Sequence, residues 1–233
     1  MRNVLVLMGD GINSENELAL AFFRNGAKTT KLHINELLRN PKKLLDYQLL
    51  AIPGGFSFGD EIRSGKILAE KMRDILSDAL SEFRQKDGRI IGICNGFQVL
   101  AQLGAFDDNQ NRSFTLAENN HGEFMDKWTR LTVTKNNSPW MRDLSGEIYL
   151  PVRHKEGRIV TRAPGVELNS ALTYDTDING SHNRIAGVFD KSGNVFGLMP
   201  HPEVATQSFL HPMRDVAEAN AKKVQQIFIN GLN

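Results

Sequence analysis

The sequence predicts an α/β protein built on a mostly parallel central sheet, with a smaller region of β-hairpins in its second half. In the first half of the chain, short apolar runs alternate with longer amphipathic segments, which is typical of a sheet covered by helices. The second half changes to short β-prone segments interrupted by Asn, Gly, Ser and Pro. With 233 residues, 40% of them hydrophobic, the chain is long enough to bury one large core.

The first half carries four predicted strands and two predicted helices. The strands are residues 4–8, 29–33, 48–52 and 89–94. Between the first two, Ser14 is followed three residues later by Glu17, as in a capping box, and Gly26 ends the predicted helix 15–25. Residues 61–86 carry the longest helical pattern. Strand and helix therefore alternate as in a parallel sheet.

The second half predicts a mixed sheet with hairpins, followed by a surface helix over residues 214–229. Its strands include residues 128–134, 146–152, 184–189 and 195–198. We find no repeat, low-complexity tract or linker in the sequence. One domain over residues 1–233 is therefore expected.

Composition excludes several classes of partner. The formal net charge is +1, and Lys and Arg are dispersed among Asp and Glu, so neither nucleic acid nor a membrane surface is expected to bind. The single cysteine rules out an internal disulfide, and the apolar run 4–8 is too short for a signal-peptide core or a membrane span. We expect a cytoplasmic protein with a small substrate.

A glycine pair follows the first predicted strand, at Gly9-Asp10-Gly11, and raises the possibility of a dinucleotide site. The pattern is incomplete, because Ser14 stands where the third glycine belongs and no acidic residue ends the second strand. A Gly-Lys-Ser/Thr phosphate loop is also missing from the sequence. The glycine pair by itself is therefore weak evidence for a nucleotide site.

The single cysteine, Cys94, lies between a predicted buried strand and a helical segment that begins near Phe97. A nucleophile at such an elbow is held in a strained conformation that requires small residues two positions before and after it, which Gly92 and Gly96 provide. The helix amino terminus favours the reactive thiolate. Two alternatives stay open: an inert buried cysteine, and a hairpin turn at Asn95-Gly96.

The segment Met199-Pro200-His201-Pro202-Glu203 offers a base for that thiol. Two prolines prevent a regular helix, so His201 and Glu203 are expected on one side of an extended segment. The glutamate can then hold one ring nitrogen while the other takes the thiol proton. A metal site is not expected, because the sequence has no second cysteine and no His-x-x-x-His.

Donors for a developing oxyanion are predicted in the loop after the third strand, Pro53-Gly54-Gly55-Phe56-Ser57-Phe58-Gly59-Asp60. Paired glycines after a strand let the backbone turn with its amides exposed, and the amide of Asn95 follows the nucleophile. Taken alone, the loop can equally be a plain glycine turn.

Four segments together resemble the class I glutamine amidotransferases, in order along nearly the whole chain. They are 92–98 around Cys94, 53–60 after the third strand, 179–187 with Asn179-Gly180-Ser181, and 199–203 around His201. The loop 53–60 and Asn95-Gly96-Phe97-Gln98 are similar to the glutaminase components of phosphoribosylformylglycinamidine synthases of purine biosynthesis. The resemblance implies a three-layer, flavodoxin-like α/β fold.

The resemblance also assigns roles to residues. It implies Cys94 as nucleophile, His201 as general base and Glu203 as its orienting partner, with the amides of Gly55 and Asn95 forming the oxyanion hole. The implied glutamine contacts are Phe56, Gln98, Asn119 and Phe124. Two departures stand out: His121 replaces a serine of the family pattern, and Lys155 replaces a glycine beside His154. These departures concern substrate contacts near Asn119 and the docking surface expected around His154.

By this resemblance the chain hydrolyses glutamine through a γ-glutamyl thioester and passes ammonia to a synthetase partner that makes formylglycinamidine ribonucleotide. It implies no cofactor in this chain, with ATP and Mg²⁺ on the partner, and it leaves open whether a small accessory subunit joins. The alternatives are a glutaminase serving another synthetase, a catalytically silent docking subunit, and a cysteine-dependent stress-response protein that shares the elbow.

Overall fold

A computed structural model of the chain describes residues 2–60, 65–107, 112–134 and 137–233, with the side chains of Phe58 and Asp60 outside the description. Its helices are α1 (Glu15–Arg24), α2 (Ile34–Arg39), α3 (Lys66–Gln85), α4 (Asn95–Leu103) and α5 (Arg214–Leu232). Its strands are β1 (Asn3–Met8), β2 (Lys28–His33), β3 (Leu49–Ile52), β4 (Arg89–Ile93), β5 (Phe114–Glu118), β6 (Met125–Val133), β7 (Glu147–His154), β8 (Glu156–Thr161), β9 (Ser170–Tyr174), β10 (Ile185–Phe189) and β11 (Val195–Leu198).

Nine strands form the central sheet, in the order β2-β1-β3-β4-β11-β10-β9-β6-β7. The first five in this order pair in parallel. The others continue the sheet with antiparallel pairings. Strands β5 and β8 form a separate antiparallel pair. The predicted α/β class, with a parallel sheet that passes into hairpins, is confirmed.

Helices cover both faces of the parallel half. From β1 the chain moves to β2 on one side, and later from β3 to β4 on the other side. Because crossover connections are right-handed, this reversal places α1 and α3 on opposite faces. In agreement, α1 meets α5 through an edge-on contact of Phe22 and Phe228 at 5.1 Å, and α3 packs with α4. The carboxyl ends of β1 and β3 mark the reversal, where sheets of this kind bind ligands.

The core follows from this coverage. Strands β1, β3, β4 and β11 are buried along almost their whole length, because each has helices on both sides. Strand β6, in contrast, alternates buried and exposed residues over much of its length. The alternating strand and helix pattern of the first half of the sequence and the short β-prone segments of the second half therefore correspond to the two halves of one sheet.

Element positions agree with the predictions within a few residues, with one local error. Ser14 precedes α1 as expected, but its hydroxyl does not cap the helix. It donates instead to the carbonyl of Gly54 at 3.2 Å. The start of the predicted helix 61–86 falls partly on residues 61–64, which lie outside the described ranges, and α3 is described from Lys66.

None of the described helices is long and apolar enough to cross a membrane.

Candidate active site

Cys94 lies at the turn between β4 and α4. Its backbone adopts φ 50° and ψ −107°, a conformation that is costly for any residue with a side chain. The turn is fixed from both sides: the Cys94 N–H donates to the carbonyl of Leu198 at 2.8 Å, and the Cys94 carbonyl accepts from the Gln98 N–H at 3.1 Å. The predicted elbow is present, and a hairpin turn at Asn95-Gly96 is wrong because α4 begins at Asn95.

The two glycines of the elbow are required by close packing. A Cβ atom at Gly92 would lie 2.6 Å from the carbonyl oxygen of Gly96, and a Cβ atom at Gly96 would overlap the carbonyl of Ile52. Strand β4, helix α4 and strand β3 meet here too closely for any side chain. This packing sets the position of Cys94 at the carboxyl edge of the sheet.

His201 leaves the same edge, after β11. Its backbone N–H donates to the carbonyl of Pro151 at 2.8 Å, and its Nδ1 is 2.6 Å from Oε1 of Glu203. Both side chains are buried. The expected pairing is therefore present, but the expected extended backbone is wrong in part: Pro202–Val204 form a 3₁₀ turn, which tolerates a proline at its first position.

Cys94 and His201 are electrostatic neighbours. Burial by itself would lower the pKa of His201, but the negative charges of Glu203 and Cys94 outweigh it and raise that pKa to about 10. The thiol contacts the carbonyl of Arg153 at 3.5 Å, and His201 Nε2 makes no hydrogen bond of standard geometry within the described residues. Catalytic hydrogen bonds often tighten only when substrate binds. The Glu203 carboxylate thus favours the protonated imidazole of His201 beside the Cys94 sulfur.

The loop after β3 comes against both side chains. A Cβ atom at Gly54 would lie 2.9 Å from Cε1 of His201 and 3.4 Å from Cβ of Cys94, so the backbone itself forms this wall. The next residue, Gly55, has φ 142°, which a residue with a side chain rarely adopts. The Ser57 N–H donates to Oδ1 of Asn95 at 3.2 Å. Gly55 and Asn95, the residues expected to form an oxyanion hole, therefore lie on adjoining segments beside Cys94.

The Gly9–Gly11 turn braces this loop. The carbonyl of Gly11 accepts from the Phe56 N–H at 2.8 Å, and the Asn13 N–H donates to the carbonyl of Gly54 at 3.3 Å. A Cβ atom at Gly55 would lie 2.6 Å from the Gly11 carbonyl oxygen. The two loops are thus in backbone contact where the strand order reverses, and the contacts of this turn support the neighbouring loop.

The hairpin half of the sheet supplies the opposite wall. Asn95 Nδ2 donates to Oε1 of Gln98 at 2.9 Å, and Gln98 Nε2 donates to the carbonyl of Glu156 at 2.6 Å. Gln98 therefore faces the turn between β7 and β8 and is buried. The alternative that Gln98 is an exposed helix residue is wrong.

Asn119 joins the same turn. Its Nδ2 donates to the carbonyls of Glu123 at 2.9 Å and of His154 at 3.0 Å, and its own N–H donates to the carbonyl of Lys155 at 2.8 Å. Asn119 thus holds the end of β7 in place and is itself buried. Asn119 therefore anchors the end of β7, and the Arg153 carbonyl in the same stretch contacts the Cys94 thiol.

Two expected substrate contacts, Phe56 and Phe124, remain half exposed, each at 50%. Lys155 is also exposed and forms an ion pair with Glu118 at 3.5 Å. His154, in contrast, is buried at 3% exposure, so its side chain forms no part of an exposed surface, and the docking surface expected around it stays a prediction.

Sequence reasoning missed two buried groups that feel the charges of His201 and Cys94. His154 Nε2 and the Tyr174 hydroxyl have no hydrogen-bond partner among the described residues. Burial lowers the pKa of His154 to about 3, with the charges of His201 and His121 acting in the same direction. Burial, and after it the charge of Cys94, raises the pKa of Tyr174. For His154, the sequence offered one signal: the stretch beginning Arg153-His154 resembles the family pattern, but the resemblance assigned His154 no role in the site.

Within the described ranges, no cluster of three or more His, Cys, Asp and Glu side chains is arranged to hold a metal ion. A cysteine elbow beside a buried His–Glu pair, at the carboxyl edge of a sheet wound in both directions, is the arrangement expected of the class I glutamine amidotransferases that the sequence resembles.

Comparison with known proteins assigns the chain within that class. The model for the CobB/CobQ-like glutamine amidotransferase domain matches residues 1–233. The phosphoribosylformylglycinamidine synthase subunit PurQ of Dehalococcoides mccartyi is 36% identical over 89% of this chain and 87% of its own length. The subunit of the same name from Thermotoga maritima is 34% identical over 97% and 96%. The chain therefore belongs to the CobB/CobQ-like glutamine amidotransferase family and, within it, to the PurQ-like proteins.

Solved structures agree with this assignment. A chain of PurLQS from Thermotoga maritima superposes with a TM-score of 0.82 at 33% identity, with both chains covered completely. A glutamine amidotransferase from the same organism gives a TM-score of 0.62 at 16% identity over 99% and 96% of the two chains, which supports the fold alone.

Proposed function

We propose that this protein is the glutaminase subunit of a phosphoribosylformylglycinamidine synthase and acts in purine biosynthesis. It hydrolyses glutamine and delivers the ammonia to a synthetase subunit. The observation that carries the proposal is the buried His201–Glu203 pair beside the Cys94 elbow. The chain carrying this pair aligns with PurQ subunits along nearly its whole length.

The first chemical step forms a thioester. Cys94 Sγ attacks the carboxamide carbon of glutamine, and the carbonyl oxygen takes the negative charge. When the carbon–nitrogen bond breaks, the proton on His201 passes to the departing nitrogen, which leaves as ammonia. Glu203 supports this step, because its carboxylate stabilises the imidazolium before the proton is transferred.

The second step releases glutamate. Water attacks the γ-glutamyl thioester while His201 accepts its proton, and the thiol is restored. We assign the amides of Gly55 and Asn95 as donors to the oxyanion in both steps. We assign glutamine binding to Gln98, Asn119, Phe56 and Phe124, which lie on the loops and the helix that surround the thiol.

The synthetase reaction requires a partner. Nothing in this chain resembles an ATP-binding synthetase, so ATP and Mg²⁺ are assigned to the partner subunit, and this chain uses no cofactor. The relative from Thermotoga maritima occurs in a structure described as PurLQS. By analogy, a synthetase subunit and a small accessory subunit are proposed here. The cytoplasm is the proposed location.

Replacing the thiol tests this function. Cys94→Ala should abolish glutamine hydrolysis, because the change removes the only nucleophile that can form the thioester. The fold should survive, since one sulfur atom is lost at a turn held by backbone hydrogen bonds. The measurement is glutamate release by the chain with its synthetase, alongside a thermal melt.

Free ammonia provides the control. A complex containing Cys94→Ala should still amidate formylglycinamide ribonucleotide when ammonium salt replaces glutamine. Glutamate release by the variant at the wild-type rate would contradict the thioester mechanism. Amidation of a different acceptor by the native complex would instead indicate another ammonia-using synthetase.

A further inference from the structure

His154 is a buried histidine with one ring nitrogen bound and the other unpaired. Nδ1 lies 3.1 Å from Oδ1 of Asn119, and the ring lies so close to Gly157 that a Cβ atom there would overlap it. Nε2 has no hydrogen-bond partner within the described ranges, although the side chain is only 3% exposed. A buried polar atom left without a partner costs about 1–3 kcal/mol, so it calls for an explanation, and a bound substrate that donates to it is one.

The tautomer of His154 follows from the Asn119 amide. Asn119 Nδ2 donates to two carbonyls, those of Glu123 and His154, so the amide cannot be flipped without losing both bonds. Its Oδ1 therefore faces the imidazole as an acceptor. Nδ1 of His154 must carry the hydrogen, which leaves Nε2 with a bare lone pair.

The protonation state agrees with that assignment. Burial lowers the pKa of His154 to about 3, and the charges of His201 and His121 add to the effect. The imidazole is therefore neutral at physiological pH, with Nε2 as a hydrogen-bond acceptor.

Strand β7 places His154 next to the backbone segment that contacts both Cys94 and His201. The strand is bonded to both catalytic segments, because the Pro151 carbonyl accepts from the His201 N–H at 2.8 Å and the Arg153 carbonyl contacts the Cys94 thiol at 3.5 Å. Arg153 points outward, half exposed, so the next side chain, His154, turns inward.

We propose that His154 is a further catalytic residue, whose Nε2 accepts a hydrogen bond from the N–H of the departing carboxamide nitrogen. This proposal rests on the proposed glutaminase function. As Cys94 Sγ bonds to carbon and the carbon–nitrogen bond breaks, His201 gives its proton to the nitrogen lone pair. The N–H accepted by His154 stays on the nitrogen, and ammonia leaves with both of its original hydrogens and the one from His201.

A neutral acceptor suits this task for a physical reason. The carboxamide nitrogen brings two N–H groups into a dry site, and an unpaired N–H there would raise the barrier. A carboxylate in place of His154 would favour ammonium and retain the product. A neutral imidazole orients the nitrogen and leaves the product as ammonia, the nucleophilic form that an amidation requires.

The experiment compares an amide with an ester. Wild type, His154→Asn and His154→Gln are assayed with the synthetase partner for kcat/KM on glutamine and on the γ-methyl ester of glutamate, whose leaving oxygen carries no hydrogen. Asn keeps a donor for Asn119 but removes the acceptor. His154→Asn should therefore lose about ten- to a hundredfold on glutamine and little on the ester. His154→Gln, whose Oε1 can take the place of Nε2, should recover part of the loss.

His211 supplies the matched control. It is also buried, and its Nε2 has no hydrogen-bond partner among the described residues. Its Nδ1 hydrogen-bonds Met213 of its own loop, and its ring packs against Trp128 and Tyr149. His211→Asn should leave the ratio of amide to ester activity unchanged. Thermal melts of all variants separate loss of folding from loss of chemistry.

The outcomes are distinct. An equal loss on amide and ester in both His154 variants would overturn the proposal, since it indicates a structural role or a contact with the α-ammonium of glutamine. If the wild-type protein with its partner hydrolysed neither substrate, that result would contradict the proposed glutaminase function itself.

Discussion

At the scale of single residues, the site depends on charge balance in a buried space. His201 is surrounded by protein, and burial alone would lower its pKa and favour the neutral imidazole. The charges of Glu203 and Cys94 reverse that effect and raise the His201 pKa to about 10, so the imidazolium is the resting form at neutral pH. In the proposed mechanism, the acid that protonates the leaving nitrogen is therefore already charged before glutamine arrives.

Glu203→Gln should move the alkaline limit of activity to lower pH. The variant keeps an oxygen to accept from His201 but loses the charge that raises the His201 pKa. Because the charges of Glu203 and Cys94 raise the His201 pKa above its ordinary value of 6.5, we expect activity that needs the imidazolium to extend well above pH 6.5 in the wild type and to fail at a lower pH in the variant. The measurement is kcat/KM for glutamine from pH 6 upward.

His201→Ala is the comparison for that variant. It removes the acid and base altogether, so a loss of about 10²- to 10⁴-fold is expected at every pH, larger than the loss for Glu203→Gln at neutral pH. An unchanged alkaline limit in Glu203→Gln would show that another carboxylate sets the His201 pKa.

At the scale of elements, the elbow requires three backbones to meet without side chains between them. Gly96 begins α4 against the carbonyl of Ile52 in β3, and Gly92 in β4 lies under the same helix turn. Neither glycine has a positive φ, so the requirement is for space and not for a left-handed backbone. The position of the nucleophile is thus a packing property of β3, β4 and α4.

Gly96→Ala should therefore damage both stability and activity. The added methyl group can enter only if α4 shifts away from β3, which costs about 1–3 kcal/mol of unfolding free energy or more and displaces Cys94. Gly165→Ala is the control: Gly165 has φ 81° and open space around it, so alanine there costs about 1 kcal/mol of backbone strain without touching the site.

The two substitutions are compared by chemical denaturation and by glutaminase activity per folded molecule. Gly165→Ala should keep its activity, and Gly96→Ala should lose most of it. Full activity in a folded Gly96→Ala protein would show that the elbow tolerates a shift of α4.

At the scale of the whole molecule, the site joins the two halves of the sheet. The parallel half supplies Cys94 and the loop at Gly54, while the hairpin half brings β7 across the same edge. Phe56 and Phe124, one from each half, are exposed beside this junction. A partner that docks here can act on both walls of the site at once.

We expect the isolated chain to hydrolyse glutamine slowly and its synthetase to accelerate it. The glycine-rich loop 54–60 can change the direction of an amide at small cost, and docking can select the productive conformation. Glutamate release is measured for the chain alone, with synthetase, and with synthetase plus its nucleotide substrates. An isolated rate equal to that of the complex would exclude this control and favour an independent glutaminase.

The sequence by itself determined the features that depend on neighbouring residues. The apolar runs predicted the buried parallel strands, and the spacing of Gly92, Cys94 and Gly96 predicted the elbow. Pro200-His201-Pro202-Glu203 predicted the hydrogen-bonded pair of His201 and Glu203, because a histidine and a glutamate two residues apart can meet whether the backbone is extended or, as found, turns in a 3₁₀ helix.

Only the tertiary structure decided what distant segments do to one another. Ser14 matched a helix cap, yet its hydroxyl binds the carbonyl of Gly54, forty positions along the chain. The sequence marked His154 only as part of a stretch that resembles the family, because its tautomer depends on Asn119 and the approach of its strand to Cys94 depends on how β7 crosses the sheet edge. Hydrogen bonds and charges act through space, so a pattern along the chain reveals them only where the partners are also close in sequence.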